Sequence, residues 1–370
     1  MISIKQLAET RGDLTSIPTA YNFFTPNNDI HLPVVSDELY EDSIPTIDFS
    51  LLTSGTPEQR SKIVNDLGKA CRDWGFFVVI KYDIAVLSSG FFLSTCIGIK
   101  VDDDYQVINH GVPESLMKVM IETCGEFFKL SEEEKQEYAG KDILDPIFYG
   151  TSINGAATQV LFWRDFIKFF VHPKFHCPTK PTGLGEISME YCKRTGEVAR
   201  ELMKGISVSL GLEEGYIEKA MNLDSGLQFV AANLYPPCPK PDVAIGLPPH
   251  SDYGLLTLLI HNGVCGLQVQ HKGNWVNLNP NPNAFVVNIG NHMEILSKGK
   301  YKSVFHRALV NETDARMSIL VVHGPALETV VSPAPELVDN ETNPPAFAGM
   351  KYREYLEMLQ SKIHARLSPK

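Results

Sequence analysis

The chain has 370 residues, 44% apolar and 21% charged, the composition of a folded globular protein with ample core rather than a disulfide scaffold or a disordered tail. A net charge of −11 and a pI near 5.5 argue against nucleic-acid binding, which relies on Lys and Arg to release counterions. The seven cysteines form no C-x-x-C pair and are odd in number, which argues against a zinc knuckle or a closed disulfide set and for thiols in a reducing compartment. The N-terminus lacks the basic start and long apolar run of a secretory signal. The longest apolar run, residues 84–99, is shorter than the roughly 20 residues needed to span a bilayer. The expectation is a cytoplasmic, monomeric protein with a small-molecule substrate and no membrane or nucleic-acid partner.

In chain order, residues 1–43 read as an N-terminal arm, after which Ile44 to Phe49 alternates as a short strand does. Thr56, Pro57 and Gln59 have the form of a capped helix start, and Ile63, Val64, Leu67, Ala70, Cys71 and Trp74 recur at helical spacing up to Gly75. A second helix starts near Pro113, with Leu116, Met120, Cys124 and Phe127 on one face, and Ser131 to Glu134 offers a capping box for a short third. Another runs from about Ile187 to Leu210, stopped by Gly211. Residues 44–222 thus read as a helix-rich region.

From about Gly226 short apolar or alternating runs are punctuated by Gly, Pro and Asn: LQFVAANLY, GLLTLLI, GLQVQ, WVNL, AFVVNIG, SVFHRALV and RMSILVVHG. Short strands at this spacing indicate a sandwich or barrel. This gives an α+β chain with a mainly β core over residues 223–326 and a C-terminal helical segment over 327–370.

Three pairs in the β-rich part sit at i, i+2: Asn233 and Tyr235, His250 and Asp252, Arg316 and Ser318. On extended strands each pair points to one face. Inside a barrel these side chains would converge on one cavity. Two imidazoles and one carboxylate bind a first-row divalent metal and leave coordination positions open, the ligand set of non-haem iron(II) oxygenases. His306, 54 residues after Asp252 and ten before Arg316, is the third ligand by position; His292 and His323 are its rivals. A histidine in an apolar strand is more often a hydrogen-bonded core residue than a ligand. It is the ordered set H-x-D, His, R-x-S within one short β-rich region that favours a metal site.

The stretches AANLYPPCPKPD, GLPPHSDYGLLTLLI, GLQVQHKGNWVNLNP, AFVVNIGNHMEILSKGKYKSVFHRALVN and ARMSIL, with IPTIDFS, RDWGFF and QVINHGVP near the N-terminus, closely resemble the plant 2-oxoglutarate- and iron(II)-dependent dioxygenases of specialised metabolism. The resemblance implies a double-stranded β-helix, a cupin-like jelly roll, with helices packed outside. It also implies Fe(II) held by His250, Asp252 and His306, with Arg316 and Ser318 on the distal carboxylate of 2-oxoglutarate and Asn233 and Tyr235 completing that site. The implied reaction consumes O2 and 2-oxoglutarate, releases CO2 and succinate, oxidises a small metabolite, typically by hydroxylation, and uses ascorbate as a reductant. Tyr149, Phe162, Trp163 and Phe170 are candidates for the substrate side or core aromatics. The alternatives are an ascorbate-dependent oxidase of the same fold and a catalytically impaired binding protein.

Two features depart from the family text. Asn291 stands where the family usually has Asp after NIG. The 28 residues Val78 to Tyr105 lie between WGFF and QVINHGV, which the family joins directly as one strand. The segment lacks Arg, Glu, Gln, Asn, Pro and Met, a bias that suits translation of a uridine-rich intron, and it is read as a retained intron that interrupts a strand. A substrate lid or membrane-associating hairpin is the functional alternative.

Overall fold

In the structure, a computed structural model, residues 3–10, 17–24, 44–80, 110–151, 160–279, 283–338 and 348–367 are described. The arm contributes helix α1 (Ile4–Thr10). After β1 (Thr46–Asp48) come α2 (Phe49–Thr53) and α3 (Pro57–Asp73). Gln59 N donates to the Thr56 hydroxyl and Thr56 N donates to the Gln59 side chain at 2.9 Å, so the capping box forms. Losing such a cap costs about 1 kcal/mol. The chain continues through β2 (Phe76–Ile80), α4 (Glu114–Lys129), α5 (Glu132–Gln136), β3 (Ile147–Thr151), β4 (Asp165–His172), α6 (Leu184–Ser209) and α7 (Tyr216–Ala220).

The second half supplies β5 (Gln228–Tyr235), β6 (Leu247–His250), β7 (Leu256–His261), β8 (Leu267–His271), β9 (Asn274–Asn277) and β10 (Phe285–Ile289). After α8 (Asn291–Leu296) follow β11 (His306–Ala308), β12 (Arg316–His323), β13 (Val330–Val331), β14 (Met350–Lys351) and α9 (Tyr352–Leu367). Eight strands form the major sheet, in the order β1-β2-β10-β7-β12-β5-β4-β3, and four form the minor sheet, β6-β11-β8-β9.

Strand alternation gives the major sheet two different faces. On the outer one Ile167, Phe169, Val230, Ala232, Ile319, Val321, Leu258, Ile260 and Val287 join the apolar sides of α3, α4 and α6 in the main core. On the inner one Phe76 and Val286, with Leu259, meet Leu267, Val269 and Leu278 on and beside the minor sheet. Two sheets packed face to face around this interior are a jelly roll.

Four of the eight major-sheet strands precede residue 223, so the sheet crosses the line drawn there from sequence. The helix-rich reading of residues 44–222 passed over β3 and β4. Both faces of β4 are largely buried, which removes the polar alternation that marks a half-exposed strand. The segment from Val78 to Tyr105 lies outside the described residues except at its start. There Val78, Val79 and Ile80 pair with β1, and Val78 and Val79 also with β10, so the first inserted residues extend β2; the expected break before Gln106 lies outside the described residues. No helix among the described residues is long and apolar enough to cross a membrane.

Candidate metal centre and anion pocket

His250 ends β6, His306 opens β11, and the two are register partners across the antiparallel pair. Their ring centroids lie 4.2 Å apart. Each ring sets Nδ1 against the carbonyl two residues earlier, Pro248 O at 2.8 Å and Val304 O at 3.2 Å. With the Nδ1 proton donated there, both Nε2 atoms are left with a lone pair for a metal. Asp252 Oδ1 stands 3.7 Å from Nε2 of His250 and 3.6 Å from Nε2 of His306. All three donor atoms fall within 4.8 Å of one another.

Asp252 is not on a strand, contrary to the i, i+2 expectation, because β6 stops at His250. Its direction comes from hydrogen bonds instead. Thr257 Oγ1 at 2.6 Å and Asn288 Nδ2 at 2.9 Å both donate to Oδ2, which turns Oδ1 toward the imidazoles. Asn291 N donates to the Asp252 carbonyl at 2.8 Å. Gly290 lets the two segments approach this closely: a Cβ there would lie 2.4 Å from Gly254 O. Burial, then the neighbouring His306, pushes His250 down to about 4. Burial works against ionising Asp252, but the two imidazoles and the Thr257 and Asn288 bonds hold its carboxyl below the usual range. The site therefore favours an ionised Asp252 and a neutral His250, the protonation states in which these groups ligate a metal.

Farther along the interior, Arg316 stands opposite Tyr235 and Ser318 opposite both Asn233 and His261. Arg316 is 2% exposed, with its guanidinium 5.3 Å from the centre of the Tyr235 ring. Gly266 makes room for it: at φ +143, a Cβ would meet Leu309 O at 2.9 Å and Arg316 Cδ at 3.1 Å. A second guanidinium, Arg164, just before β4, donates from Nη1 to Asn233 Oδ1 at 3.1 Å. Burial lowers the affinity of both arginines for their protons, and the Tyr235 hydroxyl partly offsets this. His261 accepts a bond from Gly263 N at Nδ1. Burial and then Arg316 push its pKa down to about 4.

Arg316 Nε, Arg164 Nε and His261 Nε2 are buried with no hydrogen-bond partner among the described residues. A buried donor without an acceptor costs about 1–3 kcal/mol, more when charged. Two guanidiniums and an imidazole with orphaned donors, beside the Ser318 hydroxyl, suit a carboxylate, which a guanidinium engages bidentately.

The other sequence candidates separate. Phe170 lies on the inner face, opposite Phe229. Tyr149 belongs to the outer core, Phe162 packs with Phe23 and Ile245, and Trp163 packs edge-on against Tyr21 and donates to Pro236 O; these three are core aromatics. His292 accepts a bond from Gly254 N and sits edge-on to Tyr352 and Tyr355. His323, at the far end of β12, is pushed down to about 3 by burial, with Arg200 and His172 adding to it. Neither joins the metal group. Asn291 donates to the Tyr355 hydroxyl at 2.9 Å. Sequence reasoning missed Arg164, Lys168, Thr257, His261 and Asn288; only the NIG text around Asn288 and the WRD text around Arg164 offered a signal.

The sequence profile of the 2OG-Fe(II) oxygenase superfamily matches residues 226–325. That of the non-haem dioxygenase in morphine synthesis N-terminal region matches residues 44–88 and 105–184, leaving 89–104 unmatched. The chain is 43% identical over 319 residues to 2-oxoglutarate-dependent dioxygenase 19 of Oryza sativa subsp. japonica, covering 86% of each. The chain belongs to the 2-oxoglutarate- and iron(II)-dependent dioxygenases. This dioxygenase is also 36% identical to rice flavanone 3-dioxygenase 3, over 90% of this chain and 93% of that one. A crystal structure of JOX2 in complex with 2OG, Fe and JA superimposes with a TM-score of 0.78 at 28% identity, over 100% and 98% of the two chains. The dioxygenase fold is thus the expected jelly roll. Its metal is iron(II), its cosubstrate 2-oxoglutarate and its substrate a small molecule.

Proposed function

We propose that His250, Asp252 and His306 hold iron(II), that Arg316 and Ser318 hold the distal carboxylate of 2-oxoglutarate with Tyr235 and Asn233 beside them, and that the enzyme hydroxylates a small plant metabolite with release of succinate and CO2. The observation that carries this is the buried Arg316 with an orphaned Nε, on the same interior as a pre-aligned two-His, one-carboxylate group. Iron(II) supplies the open coordination positions and the redox chemistry when O2 and the cosubstrate are bound.

The protein's own part is orientation and charge. The carbonyls of Pro248 and Val304 fix the imidazole tautomers, Thr257 and Asn288 turn Asp252 Oδ1 toward the metal position, and Arg316 sets the cosubstrate's direction. The family profile and the 43% identical 2-oxoglutarate-dependent relative support this reading over an ascorbate-dependent oxidase. The assembled ligand group supports an active enzyme over an impaired binding protein. A monomeric, cytoplasmic protein without membrane or nucleic-acid partner remains part of the proposal, supported by the acidic charge.

The test supplies iron(II) and 2-oxoglutarate to the purified protein and screens plant phenolics, terpenoids and hormones for substrate-dependent succinate. Succinate that rises with one compound class, together with an oxidised product, is the expected result. A folded protein that binds neither iron(II) nor 2-oxoglutarate overturns the reading.

A further inference from the structure

Lys168 is a charged residue in an unexpected place. It lies on β4 and is 6% exposed. Its strand partners are Phe148 on β3 and Ala231 on β5, and Ala231 in turn faces Leu320 on β12. Asn233, two residues along from Ala231, lines the anion pocket, so Lys168 points into the interior of the jelly roll. The register also fixes its height. One row away, Phe170, Phe229, Val322, Thr257 and Asn288 stand side by side, and the last two hold Asp252. One row away on the other side, Phe166, Asn233 and Ser318 align. Lys168 therefore occupies the row between the metal end and the anion pocket.

The ammonium is surrounded by aromatic rings. Nζ lies 4.7 Å from the centre of Phe170, 5.8 Å from Phe148 and 5.9 Å from Phe229. Phe229 stacks on Tyr253, the residue after Asp252, at 5.7 Å, which makes the aromatic wall continuous with the metal loop. Nζ donates to the Ile143 carbonyl, and an ammonium has three protons to give. Asp145 and Asp142 are near enough to favour the charged form, while one oxygen of each carboxylate accepts backbone N–H groups: Asp145 Oδ2 those of residues 141 and 142, and Asp142 Oδ1 that of residue 144. Neither forms an ion pair with Lys168 among the described residues. Burial pulls its pKa down to about 8. Helix α9 closes this end: Ile143 N donates to the Gln360 side chain, and Ile143, Phe170, Tyr253, Tyr355 and Leu359 all pack against the cluster of Leu227, Tyr352 and Leu356.

A buried ammonium with donors to spare, beside flat apolar walls and facing the interior, is completed by an anion carried on an apolar body. We propose that Lys168 is the specificity-determining residue for the substrate, and that the substrate is an aromatic or alicyclic carboxylic acid whose carboxylate pairs with Nζ while its ring lies among Phe148, Phe170 and Phe229. β4 is three strands from β7, whose Thr257 holds Asp252, and strands are spaced about 4.8 Å apart, so the two strands lie about 14 Å apart, a span that the lysine side chain and the ligand's skeleton bridge together. The proposal rests on the dioxygenase site assigned above and adds the substrate class to it.

The test compares biphenyl-4-carboxylate with biphenyl-4-carboxamide, which share a shape and differ in charge. Binding is measured by calorimetry to the protein loaded with Mn(II) and saturating 2-oxoglutarate, so that Arg316 is already engaged. A charge-assisted hydrogen bond predicts the acid binding at least about tenfold tighter than the amide. Lys168→Arg keeps that preference. Lys168→Met abolishes it, and Lys168→Gln, which can still donate to Ile143 O, abolishes it too; the affinity for 2-oxoglutarate stays within about twofold in all three. Equal binding of acid and amide to the unaltered protein overturns the proposal. So does a preference that survives Lys168→Gln, or one that is lost only with Arg316→Met. Succinate release from 2-oxoglutarate is followed in parallel. Its absence, with the Lys168-dependent preference intact, sinks the dioxygenase site and supports the acid pocket; its presence, with acid and amide equal, sinks the acid pocket alone.

Discussion

The two ends of the jelly-roll interior are built on opposite electrostatic plans. At the metal end every group is already steered by a neighbour: both imidazoles by carbonyls, Asp252 by Thr257 and Asn288. At the other end, two guanidiniums and an imidazole are buried with donors that find no acceptor among the described residues. One end is organised before its ligand arrives. The other carries a desolvation cost that an incoming carboxylate relieves. Holding ligands in place suits a metal that stays bound through many turnovers, whereas an unpaired cation suits a cosubstrate that is consumed and replaced each time.

The strongest way to break this contrast is at the metal end. Asp252→Asn removes the only anionic donor of the group and should lower metal affinity by more than the roughly 100-fold at the top of the range for losing an outer-sphere partner. Calorimetric titration with Mn(II) reads this directly, and near-normal metal binding would show that the pair of histidines suffices. Arg316→Met comes next. Affinity for 2-oxoglutarate should fall by about 30-fold or more, with metal affinity unchanged. Replacing an uncompensated buried charge is often neutral or stabilising. The ligand-free variant should therefore melt no lower than the unaltered protein while losing its thermal stabilisation by 2-oxoglutarate. A clear drop in the ligand-free melting temperature would mean that Arg316 is part of the scaffold.

The smallest effect sharpens the comparison through pH. His261 is held neutral, with a folded pKa of about 4 against an ordinary value near 6.5. Between those values the unfolded chain takes up a proton that the folded chain refuses, so stability is lost as the pH falls through this window and is unaffected above it. Burial of His292 and His323 acts in the same direction, and the raised carboxyl of Asp165 opposes it. His261→Gln should flatten the fall in urea-denaturation stability by up to about 1.4 kcal/mol per pH unit. An unchanged slope would place His261 among groups that titrate alike folded and unfolded.

The sequence made some of this legible for physical reasons. Strands such as Phe285–Ile289 and Arg316–His323 announce themselves as short β-branched runs between turns, and the capping boxes at Thr56 and Ser131 are local chemistry that the fold leaves intact. Asn233, Tyr235, Arg316 and Ser318 share a face because strand alternation is also local. What stayed hidden depends on register. His306 meets His250 only because β11 pairs with β6. Asp252 is aimed by Thr257 and Asn288 rather than by a strand. Arg164 and Lys168 read in the sequence as ordinary surface cations until β4 is placed beside β5, which turns both inward. β4 itself was missed because DFIKFFVH hides two buried faces behind a lysine.

Asp165 is adjacent to Arg164 but faces the opposite way. Its carboxylate receives the Ile4 and Lys5 amides at 2.9 Å each, and Ile4, fully buried, packs in one cluster with Trp163 and Tyr235. The first turn of α1 is thereby fastened to the same short stretch of strand that presents a guanidinium to the cosubstrate. In handling terms, the start of this chain is a poor place for a tag: a fusion that strains Ile4 acts on the back wall of the reaction chamber, whereas the same fusion after α9 leaves that wall alone.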